Sequence, residues 1–102
     1  MKNLNEMVRN AQQGNEIAMR ALHELKAEQI RGFAEHYAGN FEGELNVELL
    51  IATGHSAVEY AVETYSAATC INFEVHSFFM IRDFMHDMLL VESMSCVSEV
   101  AA

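Results

Sequence analysis

His55, Glu59 and Glu63 recur every four residues, and Asp83, His86 and Asp87 form a second group of imidazole and carboxylates. At about 3.6 residues per turn, each group would fall along one side of a helix. Two such clusters on facing helices are the raw material of a metal site inside a helical bundle. The donor pattern is incomplete, however. Carboxylate di-metal bundles use a Glu-x-x-His pair from each of two helices, and no histidine here has glutamate at that spacing; Asp83-x-x-His86 is the nearest approach. Acids are also common on any solvent-facing helix. The six residues therefore stand as weak metal candidates beside a preferred reading as ordinary surface groups, and no metal or cofactor is expected.

Other chemistries find less support. Glu35–His36 and the acids Glu42, Glu44 and Glu48 offer general acid or base groups. In a solvated loop they would lack the pocket that shifts proton affinity. Cys70 sits in an apolar stretch that opposes thiolate formation, with Arg82 the only cation nearby in sequence; Cys96 has no metal-binding spacing to it. The sequence holds no glycine-rich phosphate loop, nucleophile elbow or zinc-protease helix. The expectation is a protein that is not an enzyme and has no catalytic residues.

Charge is the most distinctive property. Residues 1–31 hold Lys2, Arg9, Arg20, Lys26 and Arg31 against Glu6, Glu16, Glu24 and Glu28. Residues 32–102 hold Arg82 alone against eleven acids, and the whole chain carries a formal charge of −9. Such a body repels nucleic-acid backbones and anionic lipid and attracts basic surfaces. Arg9, Arg20 and Arg31 are eleven residues apart, close to three helical turns, so an unbroken helix would align them as a basic rail. Glu6, Glu16 and Glu28 precede them by three or four residues, and local intrahelical pairing is the simpler expectation.

The elements that position these groups read mainly as helices. Proline is absent and glycine appears only five times. Asn3 and Glu6 resemble a capping box. Leu4, Met7, Ala11, Ala18, Ala21 and Leu25 mark an apolar stripe, so the spacing predicts a helix over about 3–38, interrupted at Gly14–Asn15. A loop follows at 39–46. Asn46 caps a short helix to Thr53, Gly54 stops it, and the capping box Ser56-Ala-Val-Glu59 starts another. A last helix over roughly 71–93 is apolar on most sides and should be central or buried in an oligomer. Met80, Met85, Met88 and Met94, with Phe78, Phe79 and Phe84, read as core. Residues 93–102 are expected to fray.

The expected fold class is thus all-α. It is a single domain over 1–102, a small bundle of a long N-terminal helix and two to three further helices, completed by dimerisation. The rival is α+β, with strands near 45–53 and 70–81, because Leu45, Val47, Leu49 and Ile51 and the run Ile71, Phe73, Val75, Phe79 and Ile81 also alternate at period two. No membrane span is expected: the greasiest stretch, 70–91, contains Glu74, Arg82, Asp83 and Asp87, each costing about 3 kcal/mol at a bilayer centre. No export signal is visible near the N-terminus, which points to a cytoplasmic chain with reduced thiols.

These features favour an acidic protein that binds a basic, nucleic-acid-handling protein surface. Glu42, Glu44, Glu48, Glu59, Glu63, Asp83 and Asp87 are the expected contact residues. Small viral inhibitors of host machinery present comparable arrays, an analogy resting on charge alone. The alternatives are a metal-binding bundle and a structural subunit in which Arg20 and Arg31 of one copy dock on the acidic body of the next. A homodimer is the expected assembly.

Overall fold

In the computed structural model, residues 4–41, 45–66, 68 and 72–101 are described, with side chains through Glu92. Four helices account for nearly all of them: α1 (Leu4–Gln12), α2 (Glu16–Asn40), α3 (Val47–Thr64) and α4 (Phe73–Ala101). The all-α class holds, and the rival strands are overturned. Residues 47–53 and 73–81 are helical, and no strand occurs among the described residues. The period-two runs are coincidental, because side chains on a continuous helix also satisfy short alternations.

Local chemistry sets the boundaries. Gly14 takes φ +92, the left-handed conformation that ends α1, and Gly14 N donates to Ala11 O at 3.0 Å. Asn15 then caps α2, its side chain accepting from Ala18 N at 3.0 Å. Asn46 caps α3 through Leu49 N at 3.1 Å, and Asn72 caps α4 through Val75 N at 2.8 Å. The expected interruption at 14–15 and the Asn46 cap are therefore both present. Asn3, of the first capping box, lies outside the described residues, as do Glu42, Glu44 and Cys70; so does the Cys96 side chain.

α3 runs through Gly54 without a break, correcting the two short helices expected there. The Ser56 capping box is not a helix start. Gly54 is instead a point of close approach: a Cβ built on it would lie 2.6 Å from Ile30 Cγ2 and 2.9 Å from Met85 Cε. Helices α2, α3 and α4 meet there. Leu50, Ala57, Val58, Ala61 and Val62 extend the same narrow buried face along α3. On either side, Lys26–Glu74 and Tyr37–His86 pair α2 with α4 in ascending order, so these helices are parallel. Tyr65–Phe73 and Tyr60–Phe84 pair α3 with α4 in opposite order, so α3 is antiparallel. The short α1 is tied to the end of α3 by Gln12, whose Nε2 donates to Val62 O and Tyr65 O, both at 2.9 Å. These are carbonyls that a helix end leaves without partners.

The buried stripe of α2 is Ala18, Leu22, Lys26, Ile30 and Ala34, at a spacing of four. Leu25, expected in the stripe, is 54% exposed. On α4 the buried stripe is Phe73, Ser77, Ile81 and Met85. The helix is not enclosed on all sides, as its composition suggested, because Phe79, Leu90 and Val91 remain exposed.

Two glycine substitutions separate helix propensity from packing. Gly32 is exposed in α2 with nothing within 4 Å of a new Cβ, so Gly32→Ala should stabilise by about 0.5–1 kcal/mol. Gly54→Ala makes the same propensity gain but forces the stiff, fully buried Ile30 to move, and should destabilise by about 1–2 kcal/mol net. Urea unfolding of both variants measures the opposite signs.

Candidate functional site

Three polar features emerge from this packing. The first lies between α2 and α3. His23 Nδ1 faces His55 Nδ1 at 2.9 Å, and His23 Nε2 meets Glu59 Oε2 at 3.1 Å. The His23 side chain is 21% exposed and that of Glu59 is 59% exposed, so the chain of contacts runs from partly buried to solvent. Burial holds the His55 imidazole below its ordinary range. Neighbouring His23 pushes in the same direction, and Glu59 opposes both. Two ring nitrogens this close require one to donate and the other to accept, so the pair holds at most one N–H between them.

The second feature is Lys26. It lies in the buried stripe of α2, only 3% exposed, and Nζ donates to Glu74 Oε1 of α4 at 3.0 Å. The same ammonium lies 6.0 Å from the centre of the Phe73 ring. An ammonium withdrawn from water is costly unless paired, and Glu74 supplies the carboxylate. Glu74 itself is 58% exposed, so the pair sits at the edge of the core and not deep within it.

The third is the acidic surface of α3 and α4. α3 carries Glu48, Glu59 and Glu63 and no lysine or arginine. α4 carries Arg82 as its single cation, and Arg82 is committed: Nη2 lies 3.4 Å from Asp83 Oδ1 and the guanidinium 4.7 Å from the Phe79 ring centre. Glu48, Glu63 and Asp87 are exposed, and among the described residues none has an ion pair within 4 Å.

The sequence-based candidates are thereby placed. His55 and Glu59 come together, joined by His23 of α2. Glu63 lies a turn further along, beside a groove with Ala11, Gln12 and Met19. Asp83 pairs with Arg82, His86 packs edge-on against Tyr37 at 5.4 Å, and Asp87 is exposed. Burial raises the proton affinity of the Tyr37 phenol, Arg82 lowers it and Asp83 raises it. Among the described residues no ion pair within 4 Å joins the α3 group to the α4 group, and no three of His, Cys, Asp and Glu are placed to share one metal ion. His23 cannot gather the others, because it meets them with opposite nitrogens of its ring. The local Glu–Arg pairs are also absent: among the described residues no ion pair within 4 Å involves Arg9, Arg20 or Arg31. The turn at 13–15 separates Arg9 from Arg20, so the rail of three arginines does not form on one helix.

Sequence reasoning missed His23 and Lys26. Lys26 was legible, being in phase with Ala18, Leu22, Ile30 and Ala34. His23 carried no comparable signal, because its pairing depends on the register of α2 against α3. Comparison with protein-family models, curated proteins and solved structures returns no match. No helix among the described residues is long and apolar enough to cross a membrane.

Removing one member of the Lys26–Glu74 pair should have unequal effects. Glu74→Gln leaves the ammonium without its counter-charge and should cost about 1 kcal/mol, held down by the exposure of Glu74. Lys26→Met keeps the stem and removes the charge, and should be neutral or stabilising. Chemical denaturation of the two variants gives the order; a larger loss in Lys26→Met would contradict it.

Proposed function

We propose that this chain is a non-enzymatic acidic protein that binds a basic protein surface through the carboxylates of α3 and α4. The observation that carries the reading is the lack of internal neutralisation: among the described residues Glu48, Glu63 and Asp87 have no cation within 4 Å, while Lys26 and Arg82 are already occupied. Glu59–Glu63 and Asp83–Asp87 are each four residues apart on rigid helices, and present paired negative charges at fixed spacing. Such an array competes for a groove that accommodates phosphates, which makes a nucleic-acid-handling protein the fitting partner and an inhibitory role the natural consequence. Glu42 and Glu44 belong to the same acidic body in sequence.

The test is a pull-down from host lysate at low and high salt, with the variant Glu59→Gln/Glu63→Gln/Asp83→Asn/Asp87→Asn alongside. Basic proteins should be retained at low salt, released as ionic strength screens exposed charges, and lost by the variant. Capture that is indifferent to both salt and variant contradicts the reading.

A second reading, self-association, is favoured by one feature: Phe79, Leu90 and Val91 of α4 are exposed at 42%, 60% and 58%. Covering such side chains contributes about 1.5–3 kcal/mol each at full burial. A homodimer through α4 should give twice the chain mass by light scattering at high concentration and the single mass after Leu90→Glu/Val91→Glu. A monomer at every concentration removes this reading and leaves the first intact.

A further inference from the structure

We propose that His23, His55 and Glu59 form a proton-operated clasp between α2 and α3, which holds with no or one added proton and opens with two. The geometry is the facing of His23 Nδ1 and His55 Nδ1 at 2.9 Å, with Glu59 Oε2 on the opposite nitrogen of His23 at 3.1 Å. It uses one carboxylate of the acidic surface but does not rest on the partner-binding reading.

The proton count fixes three states. With both rings neutral, His23 Nε2–H donates to Glu59, and His23 Nδ1 accepts from His55 Nδ1–H. Among the described residues His55 Nε2 has no hydrogen-bond partner, so it can take a proton from solvent. The Nδ1 proton of His55 then passes to His23 Nδ1. His55 is again neutral, and His23 is an imidazolium donating to Glu59 from one side and to His55 from the other. Both contacts survive, and the new positive charge lies against a carboxylate. A second proton leaves two N–H groups pointed at each other and two cations in contact. The Nδ1–Nδ1 bond is lost, and with it the polar tie between the helices.

The surrounding charges agree with this order. The causes acting on His55 are, in order, burial, His23 from α2 and Glu59 from its own helix. Lys26, the next cation along α2, is committed to Glu74. Burial and His23 both hold His55 below its ordinary value of 6.5, so a charge on the His55 ring is resisted in the fold. The sign for stability follows from that direction. Above pH 6.5 the ring is neutral whether folded or unfolded; below it the unfolded chain takes up a proton that the folded chain resists. His55 therefore contributes a loss of stability as pH falls below that value.

Imidazole nitrogen NMR over pH 4.5–8 on the full chain tests the clasp, as an order-of-magnitude span around the free-histidine value. The expected result is two separate titration steps, with the Nδ1 signals of both rings moving together in the first step. Melting of wild type and His55→Asn over the same range is the second arm. Asparagine keeps a polar group near the Nδ1 position without titrating, so the downward slope of Tm below pH 6.5 should flatten in the variant. Two histidines titrating independently in one step overturn the proposal, as does a variant with the wild-type slope. The NMR arm needs no substitution, so a variant that fails to fold leaves the test decisive.

Discussion

Ile30 from α2 and Met85 from α4 converge on one point of α3, and only a hydrogen stands between them there. A side chain at position 54 would lie within 3 Å of both. Side chains in a protein interior fill space at nearly crystalline density, so a site without a Cβ fixes how closely three helices approach. From that contact the rest follows by register. Lys26, one turn before Ile30, reaches Glu74. His23, two turns before it, reaches His55 and Glu59. Tyr37, two turns after it, reaches His86. The polar features of the surface are consequences of an apolar crossing.

The same contact explains why the sequence misleads at its centre. Glycine followed by Ser-x-x-Glu is the usual signature of a stop and a restart. Local signals of this kind contribute about a kilocalorie each, and the packing of a continuous apolar face outweighs them. Other boundaries carry no such competition. The turn at Gly14–Asn15 and the cap at Asn46 were legible because nothing in the tertiary structure opposes them. The helical class was legible from the scarcity of glycine and the absence of proline. The alternation at 45–53 was not a strand signal, because Leu50 is the residue of that run that is fully buried, and it belongs to the helical face that continues through Gly54 and Ala57.

The candidate site was legible in part. His55 and Glu59 were visible from spacing, but their partner was sought on α4, among Asp83, His86 and Asp87. It lies on α2. A helix can direct one side toward only one neighbour at a given height, and the His55 side of α3 meets α2. The arginines show the converse case. Their spacing suggested a rail with local carboxylate partners, yet the break after α1 takes Arg9 out of line, and Arg20 and Arg31 are exposed without ion pairs among the described residues. Cations are therefore unevenly placed in the molecule: three exposed arginines on α1 and α2, and a cation-poor pair of helices in α3 and α4.

Proton distances at the crossing test the account at its root. In a nuclear Overhauser spectrum, the Gly54 Hα protons should show strong cross-peaks to the Cγ2 methyl of Ile30 and the Cε methyl of Met85, alongside the sequential amide contacts of an unbroken helix from 50 to 58. Absence of both methyl contacts, with helical connectivity ending at Thr53, would mean that α3 is two pieces, and the placement of every polar group derived from that crossing would fall with it.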